Sequence, residues 1–168
     1  MPRCVMLAAM DSTSLTLRPA SPADAEAILR ILGETYETTW KPQLTAEARA
    51  RFEAAGRTRA YVQARLGHFH LACLGGEVIG LLDWRDDFID ALHVSPRAQR
   101  AGAGSALLRF AERQMAAAGH AQARLETDTF NRQSRAFYAR HGYAEIDFYP
   151  DEEWHSGFTT VLLSKPLG

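Results

Sequence analysis

The spacing of hydrophobic and polar residues changes along the chain. Residues 14–18 alternate apolar and polar side chains and stop at Pro19, which predicts a short strand. Apolar residues then recur at three- and four-residue spacing over residues 21–40 and 45–67, with a break near Gly56. The first part of the chain therefore predicts one strand followed by two helices.

From His68 onward the spacing becomes that of a sheet, with a Gly75-Gly76 turn between two apolar runs. The remaining predicted elements, in chain order, are strands 69–74, 78–84 and 88–94, helix 104–118, strand 123–127, helix 133–141, and strands 143–149 and 158–164. The order β-α-α-β-β-β-α-β-α-β-β predicts an α/β fold with a mixed sheet.

The composition agrees with one globular domain. The chain has 168 residues, of which 46% are hydrophobic, and at this length one core buries about 70% of the surface that the unfolded chain exposes. We expect residues 14–168 to form this single domain and residues 1–13 to form a poorly ordered leader.

Charge and cysteine content exclude several classes of function. Nineteen basic against twenty acidic side chains leave no excess of the kind that binds nucleic acid. No run approaches the roughly 20 apolar residues of a membrane span. Cys4 and Cys73 form neither a disulfide framework nor a zinc pattern, and His68 and His70 have no third ligand nearby, so we expect a cytoplasmic protein without a metal.

The most informative segment is residues 92–105, where a predicted strand runs through a loop of small residues into a helix. Such a turn directs unpaired backbone N–H groups and the positive end of a helix at one point, which suits a phosphate. An ordinary tight turn is the alternative. The segment is not a P-loop, because no Gly-Lys-Ser/Thr follows, and not Gly-x-Gly-x-x-Gly, because residue 107 is Leu.

Two blocks resemble a known family. Gln99-x-x-Gly102-x-Gly104, preceded by Leu92-x-Val94-x-Pro96, closely resembles the acyl-CoA pyrophosphate loop of the GNAT superfamily of N-acetyltransferases. Asn131-x(6)-Tyr138-x(3)-Gly142-Tyr143 resembles a second signature of that family. The chain departs from the pattern at Arg100-Ala101, where a Gly and then a basic residue are usual. The likeness covers residues 15–168 in element order, and its motifs lie between residues 90 and 143.

The resemblance implies a mixed, mostly antiparallel central sheet flanked by helices, with acetyl-CoA as cofactor. It implies that the strand of Leu92, His93 and Val94 pairs with the pantetheine arm and that Asn131 and Ser134 contact the pantetheine or the adenylate side. It implies that the pyrophosphate is wrapped by the main chain of Gln99, Arg100, Ala101, Gly102, Ala103, Gly104 and Ser105. Tyr138 would contact the cofactor and protonate the departing thiolate, since a phenol with a pKa of about 10 is protonated at neutral pH.

Several residues are candidates for the general base. Asp90 occupies the position of a carboxylate in the spermidine/spermine acetyltransferase branch of the family, and we predict that it deprotonates the acceptor amine. His93, Asp83 and Glu126 lie on predicted strands nearby and are alternatives. A solvated polar group is the plainer interpretation of each.

The resemblance places the acceptor channel between residues 34–40 and the stretch that joins the last two strands. That stretch contains Asp147, Asp151, Glu152 and Glu153 with no basic residue between them. We predict that Tyr36, Trp40, Asp151 and Glu152 bind a cationic amine; the alternative is a solvated acidic loop.

Together these features predict an acetyl-CoA-dependent N-acetyltransferase that transfers acetyl directly, in a ternary complex, to a primary amine of a small, cationic molecule. Peptide N-termini and protein lysines are alternative acceptors. An acyl-CoA-binding sensor with little turnover and a nucleotide-binding regulatory domain are the rival classes. An exposed strand edge near the C-terminus makes a homodimer plausible.

Overall fold

The structure, a computed structural model, describes residues 14–168, so the predicted leader, including Cys4, lies outside the described residues. The strands are β1 Leu15–Pro19, β2 His70–Leu74, β3 Glu77–Arg85, β4 Phe88–Val94, β5 Gln122–Asp128, β6 Ala144–Pro150 and β7 Thr159–Pro166. The helices are α1 Ala25–Thr35, α2 Ala46–Ala55, α3 Arg57–Arg65, α4 Ala103–Ala117 and α5 Arg132–Arg140.

The element order is the predicted one. The predicted break near Gly56 divides the second helical stretch into α2 and α3, because Gly56 adopts a φ of 63° that ends the α-helix. Thr45 begins α2 by accepting a hydrogen bond from the N–H of Ala48 at 3.2 Å. Helix α1 continues into a wider π-helical turn, Tyr36–Trp40, which ends before Pro42.

The seven strands form one sheet in the order β1-β2-β3-β4-β5-β7-β6. All neighbours are antiparallel except β4 and β5, which confirms the mixed, mostly antiparallel sheet. The parallel pair is short: Phe88 aligns with Arg124 and Ile89 with Leu125, and the pairing stops there. The two strands therefore separate over their remaining lengths and leave an opening in the middle of the sheet.

Each face of the sheet has its own apolar core. Helix α4 packs on one face through Leu107, Leu108 and Met115, all fully buried. Helices α1 and α3 pack on the other face through Ile28, Ile31 and Val62. Because helices pack on both faces of the sheet, the strands that border the opening are held in place by buried contacts.

Strand β6 forms one edge of the sheet and carries the exposed apolar side chains of Ile146 and Phe148. Among residues 14–168, no helix is long and apolar enough to cross a membrane. In the same part of the chain, no three His, Cys, Asp or Glu side chains are grouped so that they could hold a metal ion.

Candidate active site

A cavity of about 1080 Å³ occupies the opening between β4 and β5. The loop before α4 and helix α5 line one part of it, and the end of α1, the start of α3 and the β6–β7 loop line another. Every residue predicted from the sequence as a catalytic, cofactor or acceptor contact lines this cavity except Ala101 and Glu152. The topology thus brings together side chains that are more than 100 residues apart in the sequence.

Strand β4 forms one wall with Leu92, His93 and Val94. Beyond Ile89 its edge toward β5 is not paired, so the backbone groups there are open to an extended partner. Asp90 lies at a bulge, since its neighbours Ile89 and Ala91 align with the consecutive residues Trp84 and Asp83 of β3. This free strand edge suits a linear chain of amides such as pantetheine.

The loop from β4 to α4 has the geometry of an anion cradle. Gly102 has a φ of 82° and Arg100 a φ of 70°, so the main chain turns sharply twice before the helix begins. The first bond within α4 runs from the N–H of Ala106 to the carbonyl of Gly102 at 3.0 Å, which leaves the N–H groups of the preceding turn directed outward. Ala101 itself does not line the cavity, because it lies between these two turns.

The same loop is tied to α1 by Glu34. Its carboxylate accepts hydrogen bonds from the hydroxyl of Ser95 at 2.7 Å and from Arg97 at 3.0 Å. Ser95 in turn accepts from the N–H of Arg97 at 3.4 Å. The cradle is therefore held in place by contacts on its side away from the cavity.

Tyr138 projects from α5 into the cavity wall, buried between Phe137 and Tyr143 at ring-centroid distances of 5.1 and 5.6 Å. Burial alone raises the pKa of its phenol above the ordinary value, and no side-chain or backbone partner of its hydroxyl lies within the described residues. A proton on this oxygen is therefore retained at neutral pH and free to be donated.

Asn131 and Ser134 have local structural roles beside their predicted cofactor contacts. The Asn131 side chain caps α5 by accepting from the N–H of Ser134 at 3.1 Å, and the Ser134 hydroxyl accepts from Thr127 at 3.2 Å. Ser105 is engaged with His141, at 2.9 Å from Nε2. Nδ1 of His141 donates to the carbonyl of Phe137 at 2.8 Å, which fixes the orientation of the ring.

His93 lines the cavity between Thr35 and Trp40. Its Nδ1 lies 2.9 Å from the Thr35 hydroxyl, which also donates to the carbonyl of Leu32, and its ring lies 5.8 Å from that of Trp40. Burial lowers the pKa of His93 to about 4, so the imidazole is neutral at physiological pH.

The three carboxylates predicted as candidate general bases have different hydrogen-bond donors and different burial. Both oxygens of Asp90 accept from Arg85, each at 2.8 Å. Asp83 is fully buried and accepts from Tyr61 at 2.6 Å and from Arg65 at 2.7 Å, so it does not line the cavity. Glu126 lines the cavity and accepts from the hydroxyl of Tyr149.

The acceptor side of the cavity has an aromatic wall. Tyr36 stacks on Phe52 at 4.5 Å, Phe52 contacts Trp154 at 5.4 Å, and the guanidinium of Arg57 lies 5.0 Å above the Trp154 ring. The sequence did not indicate Phe52 or Arg57, because both lie outside the two motif blocks and reach the cavity only through the packing of α2 and α3.

The acids between β6 and β7 do not all face the cavity. Asp151 lines the cavity, yet its carboxylate accepts from the N–H groups of Trp154 at 3.1 Å and Ser156 at 3.3 Å, and from the Ser156 hydroxyl. Glu152 lies outside the main cavity and lines an adjoining one of about 330 Å³. Its position therefore does not support the predicted contact with the acceptor.

Comparison with known proteins agrees with this geometry. Residues 25–143 match the Acetyltransferase (GNAT) family. The chain belongs to this family. It is an acetyl-CoA-dependent N-acetyltransferase, and the open edge of β4 and the cradle before α4 fit the linear arm and the pyrophosphate of that cofactor.

Solved structures share the fold at low sequence identity. A GCN5-related N-acetyltransferase from Rhodopseudomonas palustris has 22% identity and a TM-score of 0.79, over 94% of this chain and 99% of that one. The PaiA N-acetyltransferase of Thermoplasma acidophilum, in complex with coenzyme A, has 22% identity and a TM-score of 0.68, over 91% and 99%. The ribosomal-protein-S18-alanine N-acetyltransferase of Escherichia coli has 17% identity and a TM-score of 0.68, over 92% and 95%. No curated protein sequence matches the chain.

Proposed function

We propose that this enzyme acetylates the primary amine of a small cationic molecule by direct transfer within a ternary complex. The observation that carries the proposal is the arrangement of the cavity around the opening in the sheet. The cofactor cradle and Tyr138 lie at one part of it, and an aromatic and acidic wall lies at another. Two substrates can therefore meet between β4 and β5.

The charges of the acceptor side favour a cation. Its lining includes the acidic residues Asp90, Glu126, Asp128, Asp151 and Glu153 and the basic residues Arg57 and Arg85. The excess of carboxylates gives a negative potential that attracts an ammonium group. The aromatic faces of Tyr36 and Trp40 add favourable contacts for a cation.

Direct transfer is supported by the position of the cysteine. Cys73, the free cysteine of the described residues, is buried in the core under α1 and does not line the cavity. It is thus out of reach as an acyl-carrying nucleophile.

Acetyl-CoA supplies an activated thioester when it is bound. The cradle before α4 would hold the phosphates, with Arg100 adding charge, and β4 would orient the arm. Tyr138 would protonate the departing thiolate, which requires the protonated phenol that burial preserves. Asp90 as the general base stays a prediction; its pairing with Arg85 leaves neither oxygen free in the structure.

The test is a thiol-release assay over a panel of polyamines, aminoglycosides, amino acids and short peptides, at low and high salt. We expect the cationic small amines to have the highest kcat/KM, and this preference to weaken as the Debye length falls from about 10 Å at 0.1 M to about 3 Å at 1 M salt. A preference for anionic or neutral acceptors would contradict the charge argument. A preference for peptides would show that the acceptor is a peptide N-terminus or a lysine side chain and not a small amine. Binding of CoA without thiol release would show that the protein is an acyl-CoA sensor. The predicted cytoplasmic location and homodimer are separate proposals, the latter on the exposed edge strand β6.

A further inference from the structure

A hydrogen bond crosses the opening in the sheet on its acceptor side. The indole Nε1 of Trp40, on the turn after α1, donates to Oδ2 of Asp128, the last residue of β5, at 2.9 Å. The same indole ring lies 5.8 Å from the ring of His93 on β4. Trp40 thus contacts a side chain on each of the two separating strands and fixes the Asp128 carboxylate beside the gap.

The second oxygen of this carboxylate is free. Within residues 14–168, Oδ1 of Asp128 accepts no hydrogen bond and the side chain has no basic partner. Asp128 lines the cavity, where Asp90 is paired with Arg85 and Asp151 accepts three hydrogen bonds from its own loop. The other two acids of this wall, Glu126 and Glu153, are exposed to solvent. Among the half-buried carboxylates that line the cavity in the described residues, Asp128 is therefore the one with an oxygen available to a ligand.

We propose that Asp128 is the catalytic residue that binds the ammonium group of the acceptor through Oδ1 and accepts its proton, and that Trp40 is its positioning residue. This inference rests on the acetylation of a primary amine proposed above. The sequence predicts Trp40 as an acceptor contact but does not indicate its pairing with Asp128, since the two residues are 88 positions apart.

The surroundings favour this proton transfer. In water an alkylammonium has a pKa of about 10 and a carboxylate of about 4, so the transfer is strongly unfavourable. Burial disfavours both charged forms, which raises the carboxyl pKa and lowers that of the ammonium. Burial is the largest cause that raises the pKa of Asp128; the hydrogen bond from Trp40 opposes it, and the charges of Asp151 and Glu126 raise the pKa further. His93, across the gap, is neutral and does not offset this.

The step balances as follows. One ammonium proton moves to Oδ1 of Asp128, and the nitrogen lone pair forms the N–C bond to the acetyl carbon. As the C–S bond breaks, the thiolate receives a proton from Tyr138, and the nitrogen loses its second proton, which restores the phenol through solvent. Asp128 returns its proton to water, so that one proton is released for each acetyl group transferred.

Two phenyl-bearing probes that differ in basicity test the assignment: 2-phenylethylamine, an alkylamine, and L-phenylalaninamide, whose α-amine has a pKa nearer 8. For Asp128→Asn we expect kcat/KM for the alkylamine to fall about 10²-fold or more at pH 7.5, with a smaller loss for the α-amine. The alkylamine rate should recover as pH rises toward the amine pKa, because the neutral amine then needs no base. We expect 2-phenylethylamine to bind the CoA-saturated Asp128→Asn variant about 10-fold more weakly than the wild-type enzyme, and CoA to bind both equally well.

Asp86→Asn is the matched control, since it makes the same substitution in the exposed β3–β4 turn, outside the cavity. We expect it to change kcat/KM less than about threefold and to leave the pH profile unaltered. Trp40→Phe removes the indole donor and keeps an aromatic ring; we expect a fall of about 10-fold, mainly in kcat, with the same recovery at high pH. Circular dichroism confirms that each variant is folded.

Failure of this inference is distinct from failure of the proposed function. If the wild-type enzyme acetylates these amines and Asp128→Asn does so within about threefold at every pH, Asp128 is not the base. If the wild-type enzyme acetylates no amine of the panel, the proposed function fails. In that case the binding measurement still tests whether Asp128 binds an ammonium group. Equal affinity of 2-phenylethylamine for the wild-type enzyme and Asp128→Asn would overturn that assignment.

Discussion

Gly104 faces Phe137 where α4 begins beside α5. A Cβ on Gly104 would lie 3.4 Å from Cζ of Phe137 and 3.7 Å from Cγ2 of Val94, which are ordinary contact distances. The start of α4 therefore has room for one methyl group, whereas any longer side chain must extend into the cavity between β4 and α5.

This geometry separates two substitutions. We expect Gly104→Ala to keep CoA affinity within about threefold, because the methyl group fits, and Gly104→Glu to reduce it about 10²-fold or more, because bulk and negative charge enter the cradle. Isothermal titration measures the affinity, and circular dichroism checks the fold. Near-wild-type affinity of Gly104→Glu would remove this loop from the cofactor site.

Arg100 has a φ of 70°, a conformation that costs a residue with a Cβ about 1 kcal/mol. This is the position where the family usually has glycine. We expect Arg100→Gly to raise the free energy of unfolding by about 1 kcal/mol and to weaken CoA binding about 3- to 10-fold through loss of a phosphate-facing charge. Urea denaturation and titration measure the two effects. Arg100→Lys, which keeps both charge and backbone strain, should leave stability unchanged; an equal gain there would refute the strain argument.

Tyr138→Phe removes a hydroxyl that has no partner in the described residues and lies in the cavity wall. We expect kcat to fall about 10²-fold and CoA affinity to stay within about twofold, since the ring still packs on Phe137. Tyr143→Phe is the control, because that hydroxyl donates to Glu112 instead. Unchanged kcat in Tyr138→Phe would assign the residue to packing.

The sequence predicted the element order and the cradle because both depend on local signals. Gly56 ends a helix where the apolar spacing breaks, and Gly102 adopts the positive φ that a tight strand-to-helix turn requires. Such signals lie within a few residues of the feature that they predict.

The acceptor wall could not be predicted in this way. Asp128 has no periodic or motif signal, and its position matters only because β5 separates from β4 and Trp40 reaches it from another element. Asp151 and Glu152 are adjacent acids in the sequence, yet only Asp151 lines the main cavity. A run of like charges does not specify the direction of each side chain.

The ion pair between Arg18 and Asp24 makes the stability of the fold depend on pH. Asp24 is buried, accepts from Arg18 through both oxygens at 2.8 Å each, and accepts from the N–H of Ser21 at 2.7 Å. The hydrogen bond from Arg18 is the largest cause that holds the pKa of Asp24 well below its ordinary value, against the opposing effect of burial. Because the folded-state pKa is depressed, the stabilisation is complete above the unfolded value of about 4 and is lost as pH falls below it.

Asp24→Asn should therefore lower the free energy of unfolding by about 1.5 kcal/mol at pH 7, a figure kept small because Arg18 is substantially exposed. The difference from wild type should shrink below about pH 4, where the wild-type carboxyl becomes protonated in the unfolded chain. Urea denaturation at pH 7, 5 and 3 measures it. Asp86→Asn is the control, since Asp86 lies in the exposed β3–β4 turn with a φ of 51° that asparagine also tolerates. A deficit of the same size at pH 3 would show that Asp24 acts by capping the helical turn after Ser21, independently of its charge.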